Sequence, residues 1–207
     1  MHYNAGQTSI QRIVLTGGPG AGKTVVAKHM VARHPDKFVL VAEAATQVYE
    51  ALQTRWDRLD LEGRRDVQRK IYRLQVTQEA KILADHPGKI LLLDRGTIDG
   101  AAYWPEGPDE YWRDLRTSLA AELQRYDAII WMQTSAALGL YDGDLSNACR
   151  FEHPEAAIES GIRLKELWGG HACLRSVSAY PNFADKIAAV DSAIEQLLRP
   201  ATTSATH

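Results

Sequence analysis

Short apolar runs alternate with longer amphipathic stretches along this chain. That is the pattern of strands interleaved with helices around a parallel sheet. The runs "RIVLTG" (12–17), "KFVLVAE" (37–43), "KILLLD" (89–94), "DAIIWMQ" (127–133) and "CLRSVS" (173–178) predict five strands. "KILLLD" is the most apolar, which suits a strand covered on both faces. A helix is predicted from Gly22 to about Arg33, two more over 45–59 and 64–85, and another near 110–125. Val67, Ile71 and Leu74 recur at helical spacing, and Leu115, Leu119 and Leu123 form one stripe. The stretch "GTIDGAAYWPEGPDEYW" reads as irregular and aromatic. No strand is evident over 134–170, where Pro154 and Gly169-Gly170 mark the two ends of one helix. Ile187, Val190, Ile194 and Leu197 mark a closing helix.

These elements predict an α/β fold with a doubly wound, mainly parallel five-stranded sheet flanked by helices. One domain is expected over 1–200, with a helical, lid-like insertion at about 134–170 and a frayed tail at 201–207. In such sheets ligands bind beyond the C-terminal ends of the strands. Glu43, Asp94 and Gln133 each end a predicted strand at that edge, beside a glycine loop that follows the first strand.

That loop, "TGGPGAGKT", carries the most specific chemistry in the chain. Gly17, Gly22, Lys23 and Thr24 satisfy G-x-x-x-x-G-K-[ST] between a strand and a helix, the context that motif requires. Glycines let main-chain N–H groups approach phosphate oxygens with no Cβ in the way. The helix that follows offers unpaired N–H groups and a positive dipole end. Gly18, Pro19, Gly20, Ala21, Gly22, Lys23, Thr24 and Val25 are therefore the expected phosphate-binding residues. Lys23 should reach the β- and γ-phosphates, and the Thr24 hydroxyl should coordinate Mg²⁺.

Phosphate loops serve kinases, switches, motors and transporters, so the acids and arginines must decide. Asp94 closes the most apolar strand, where a carboxylate can join the Mg²⁺ shell. Arg95 follows it, and strand-end "DR" resembles the nucleoside and nucleotide kinase branch of phosphate-loop proteins. A guanidinium there can fork onto phosphoryl or carboxylate oxygens. No "NKxD" base-reading motif of GTPase switches is present.

The resemblance narrows through "VLTGGPGAGKT", "VAEAAT", "VQRKIYRLQVTQE" and "LLLDRGTIDGAAYW". Together they resemble the AAA/kinase-like P-loop NTPase family that groups the nicotinamide-riboside kinase domain with a phosphoinositide-linked GTP-binding protein. The resemblance covers about 13–104 and continues weakly through "NACRFEHPEAA" to "NFADK". It implies binding of ATP (or GTP) with Mg²⁺ and phosphoryl transfer to a small, nucleoside-like acceptor. The alternative is a nucleotide-binding switch or slow ATPase that works through a protein or lipid partner. On the kinase reading the catalytic set is Lys23, Glu43, Asp94, Arg95 and Arg150, with Thr24 and Asp94 at the metal.

Within that set, Glu43 has two readings. It is placed to take a hydroxyl proton from the acceptor, or to cap the helix that begins near Thr46. Arg150 in "NACRFEH" resembles a lid arginine of nucleoside kinases, and Arg163 lies farther along the same stretch. Tyr103, Trp104, Tyr111 and Trp112 either stack a planar ring or cover a core edge. Asp99 either bonds an acceptor hydroxyl or forms a turn. Phe183 and Lys186 sit where related folds cradle adenine.

Composition trims the alternatives. A net charge of −2 and the lack of any Lys/Arg run argue against a nucleic-acid partner. No apolar run approaches the roughly 20 residues a membrane helix needs, and the first dozen residues do not read as a secretory signal. Cys149 and Cys173 show no metal-ligand spacing and are read as reduced thiols, which places the expected protein in the cytoplasm.

Overall fold

The computed structural model describes residues 10–140 and 153–199. Strands β1 (Arg12–Thr16), β2 (Phe38–Val41), β3 (Ile90–Asp94), β4 (Ala128–Met132) and β5 (Leu174–Val177) form one sheet of order β2-β3-β1-β4-β5. Every neighbouring pair is parallel. The helices are α1 (Lys23–Arg33), α2 (Ala44–Ala51), α3 (Leu61–Asp85), α4 (Pro108–Leu115), α5 (Leu119–Leu123), α6 (Pro154–Trp168) and α7 (Phe183–Leu198). Short 3₁₀ turns run over Trp56–Arg58, Thr97–Tyr103 and Ser135–Leu138.

Strand alternation divides the core between the two faces of the sheet. Ile13, Leu15, Leu92 and Ile130 point to one side, where they pack with Val26 and Met30 of α1 and Val190 and Ile194 of α7. Val14, Leu91, Leu93 and Ile129 point to the other, against Ile98, Tyr126 and Trp168. Burial on both faces explains why β1, β3 and β4 read as unbroken apolar runs. Beside β1 the connections diverge, from β1 out to β2 past β3 on one hand and from β3 across to β4 on the other, and the crevice they leave opens at Thr16.

Three expectations need correction. The helix expected over 110–125 is two helices. Arg116 adopts a left-handed backbone (φ 55) that stops α4, and the Ser118 hydroxyl then caps α5 by accepting from the Ala121 N–H. The leucine stripe divides accordingly. Leu119 and Leu123 pack toward the sheet, whereas Leu115 joins Trp104 and Tyr111. The helix expected over 45–59 ends at Ala51, because Gln53 turns left-handed (φ 49) and Asp60 caps a fresh helix, α3. The stretch read as irregular holds an ordered 3₁₀ turn and α4.

Within 134–170, the described parts pack closely on the domain. Trp168 and Leu164 of α6 are buried, and the Trp131 indole N–H donates to the Gly161 carbonyl at 2.8 Å. Among the described residues no helix is long and apolar enough to cross a membrane.

Candidate functional site

The glycine loop connects β1 to α1 at the crevice. Each of its glycines has a physical reason. Gly17, Gly20 and Gly22 hold φ of 140, 70 and 80, a region that disfavours side chains. A Cβ on Gly18 would lie 2.3 Å from the Ala157 carbonyl oxygen of α6, so loop and helix are in direct contact. From the other side, Thr134 donates its hydroxyl to the Pro19 carbonyl at 2.5 Å. The Ser135 N–H and hydroxyl both donate to the Gly20 carbonyl. Sequence reasoning missed these two braces, although their position just past a predicted strand on the ligand edge was a usable signal.

Lys23 is buried and folds back over the loop, donating to the Gly17 and Gly18 carbonyls at 2.9 and 3.0 Å. Burial, aided by the Arg95 charge, lowers its pKa to about 7. An ammonium so desolvated, held only by neutral carbonyls, is poised to gain from an incoming anion.

Thr24 donates its hydroxyl to Asp94 Oδ2 at 2.5 Å. The other oxygen, Asp94 Oδ1, is buried with no hydrogen-bond partner. Burial, with the nearby Glu43 charge, pushes the Asp94 carboxyl above the ordinary range. An orphaned buried carboxylate oxygen beside a hydroxyl fits a hard divalent cation such as Mg²⁺. Among the described residues no group of three or more His, Cys, Asp or Glu could hold a metal. Such a cation would therefore complete its shell with phosphate oxygens and water, as Mg²⁺ commonly does.

Arg95 is the centre of the next layer. It is buried, and its backbone is left-handed at φ 79, a strained setting for an arginine. Its Nε donates to Glu43 Oε1 at 2.5 Å and its Nη1 to Asp99 Oδ2 at 3.0 Å. Asp99 lies in the 3₁₀ turn Thr97–Tyr103 with its side chain buried. It also accepts from the Thr16 hydroxyl and, at 2.8 Å, from the Trp168 indole. Asp99 thus fixes the arginine. Glu43 stands at the start of α2, but its side chain does not bond the helix's first N–H groups; Thr46 donates to its Oε2 at 2.7 Å.

Three cavities meet here. The loop cavity, about 720 Å³, is lined by Gly20, Lys23, Thr24, Val25, Glu43 and Asp94, with Arg95 at its end. A narrow neck of about 20 Å³ adjoins it and shares Glu43 and Arg95 with it; Gln68, Gln75, Asp99 and Tyr103 also line the neck. Beyond it opens an outer cavity of about 870 Å³ with Trp56, Arg64, Gln68, Tyr103, Trp104 and Arg163 in its wall.

The structure thus brings together Lys23, Thr24, Glu43, Asp94 and Arg95, and puts Arg163 in the outer wall. Arg150 lies outside the described residues. Of the aromatic group, Tyr103 and Trp104 line the outer cavity, while Tyr111 is a core residue stacked edge-on against Trp104 and Trp112. Phe183 and Lys186 do not line the loop cavity. Phe183 packs on Gly22, and Lys186 donates to the Gln133 carbonyl at 2.6 Å.

A parallel sheet whose first strand feeds a G-x-x-x-x-G-K-T loop and helix, with an acid ending the adjacent strand, defines a P-loop NTPase fold of the kinase-like kind. The chain belongs to the AAA domain family, which it matches over residues 12–178. Two solved structures share its fold. One is the crystal structure of NadR protein in complex with NAD and AMP-PNP, at a TM-score of 0.63, 16% identity, 96% of this chain and 52% of that one. The other is NadR protein in complex with NR, at a TM-score of 0.64, 15% identity, 91% of this chain and 51% of that one. The chain spans about half the length of these structures. No curated protein sequence matches it.

Proposed function

We propose that the protein is an ATP- and Mg²⁺-dependent kinase that transfers the γ-phosphoryl group to a hydroxyl of a small, nucleoside-like acceptor. The observation that carries this reading is the run of shared walls. Glu43 and Arg95 line both the loop cavity and the neck. Gln68 and Tyr103 line both the neck and the outer cavity. A neck of about 20 Å³ admits a hydroxyl but no ring. A donor in one large cavity and an acceptor in the other would meet there.

The triphosphate would lie over the N–H groups of Gly18 and of Gly20 to Val25, Pro19 having none to offer. Lys23 would leave two neutral carbonyls for the β- and γ-phosphate oxygens, a charge-assisted exchange. Thr24 and Asp94 would hold Mg²⁺, which neutralises charge on the phosphates when bound. Arg95, locked by Glu43 and Asp99, sets a fixed positive charge at the neck, where negative charge builds on the transferring group. Glu43 is the group to accept the acceptor's proton, since its carboxylate borders both the loop cavity and the neck where the hydroxyl would stand. The acceptor oxygen bonds the γ-phosphorus, the bond to the β-bridging oxygen breaks, and ADP leaves. Arg150 would add charge stabilisation from the stretch after β4. The fold shared with a structure holding AMP-PNP supports a nucleotide triphosphate as donor, ATP or GTP.

The test follows labelled γ-phosphate from ATP across nucleosides, nucleotides and small alcohols, with water as control. We expect transfer to at least one hydroxyl, lost in Lys23→Ala and reduced at least tenfold in Glu43→Gln. Label delivered to water alone would reject the kinase reading in favour of a slow ATPase or switch.

A further inference from the structure

The outer cavity has a one-sided polar character. Arg64 Nε, Gln68 Nε2 and Trp104 Nε1 are all buried in the protein without a hydrogen-bond partner. All three residues line that cavity. Gln68 and Trp104 are only 2% and 5% exposed, so bulk water does not satisfy them. An unpaired buried polar group costs about 1–3 kcal/mol. These three residues all border this cavity, so an occupant that presents oxygens would relieve that cost once these side chains turn toward it. The indole N–H and the guanidinium can only donate.

The charges agree. The Arg64 guanidinium lies 4.8 Å from the Trp56 ring centroid, held by the indole face, and makes no ion pair among the described residues. The acids of the same wall do not serve as its counter-ion. Asp57 is clamped by the Nε and Nη2 of Arg55 at 3.0 and 2.6 Å. Glu166 is exposed on α6 and forms no ion pair with Arg64. Arg163 adds a second cation to the wall. A forked guanidinium on an aromatic platform suits an oxyanion.

We propose that the outer cavity selects an acceptor that carries an anionic group, a carboxylate or a phosphate monoester, and that Arg64 holds that group. The proposal rests on the kinase reading only in naming the occupant an acceptor; the binding preference stands apart from transfer. At about 870 Å³ the cavity has room for a ring and sugar as well as the charged group.

The experiment uses two matched pairs: nicotinate riboside against nicotinamide riboside, and thymidine 5′-monophosphate against thymidine. Binding is measured by calorimetry with AMP-PNP and Mg²⁺ present, and label transfer from ATP is measured separately. The anionic member of at least one pair should bind tenfold or more tightly than its neutral mate. Which pair shows it tells carboxylate from phosphate. Arg64→Met should erase the preference while leaving AMP-PNP affinity unchanged and without lowering the melting temperature. Arg64→Lys, which keeps the charge and folds as readily, should retain part of it. Equal or better binding of the neutral members overturns the proposal, as does failure of all four probes to bind. Preferential binding without transfer keeps it and rejects the kinase reading. Transfer to neutral acceptors alone keeps the kinase reading and rejects it.

Discussion

Arg95 offers the sharpest quantitative test, because its side chain and its backbone make opposite demands. The side chain neutralises Glu43 and Asp99, whose side chains are 12% and 4% exposed. Removing it strands two nearly buried carboxylates, and breaking such a pair typically costs about 3–5 kcal/mol. The backbone sits at φ 79, where an L-residue carries a penalty of roughly 1–2 kcal/mol that glycine escapes. Glycine's greater freedom in the unfolded chain takes back about 0.5–1 kcal/mol of that. Arg95→Ala should therefore lose about 3–5 kcal/mol, and Arg95→Gly about 0.5–1 kcal/mol less, the reverse of the usual order of these two residues. Urea unfolding at pH 7.5 with an unchanged m-value measures both. The reasoning is refuted if the alanine variant equals or exceeds the glycine variant, or if either loses less than about 1 kcal/mol, the level of an exposed ion pair.

Two other outcomes are expected. Gly18→Ala should destabilise the fold by about 1–3 kcal/mol, an overpacking cost, because its methyl would meet the Ala157 carbonyl at 2.3 Å; thermal unfolding reads this, and an unchanged melting temperature would show the loop free to move away. Lys186 gives a pH signature. Burial lowers its pKa from 10.5 to about 8, so between those values the unfolded chain binds the extra proton and stability rises with pH through that window. Lys186→Met should remove that rise in urea titrations, and an identical pH slope in both proteins would contradict the assigned burial.

The sheet was legible because burial on both faces leaves apolar runs that no other element produces, as "KILLLD" and "AIIWM" show. The loop was legible because its glycines and Lys23-Thr24 act through backbone geometry local to one segment. The helix breaks at Gln53 and Arg116 were not, since neither residue type announces a left-handed backbone and the apolar period runs past both. The outer wall was equally hidden. Arg64 and Gln68 lie in a helix of ordinary amphipathic pattern, and only the fold brings them to one cavity with Trp104 and Arg163. Asp99 was read as either a partner for an acceptor hydroxyl or a turn residue, and neither reading foresaw that Trp168, 69 positions away, bonds one of its oxygens.

Helix α6 touches both halves of the crevice. Its Ala157 carbonyl rests against Gly18, and farther along the same rod Arg163 and Glu166 border the outer space. A stiff element shared in this way would give two occupants a route by which to influence one another, and any such influence is reciprocal. Whatever factor the first to arrive applies to the affinity of the second, the second must apply to the first.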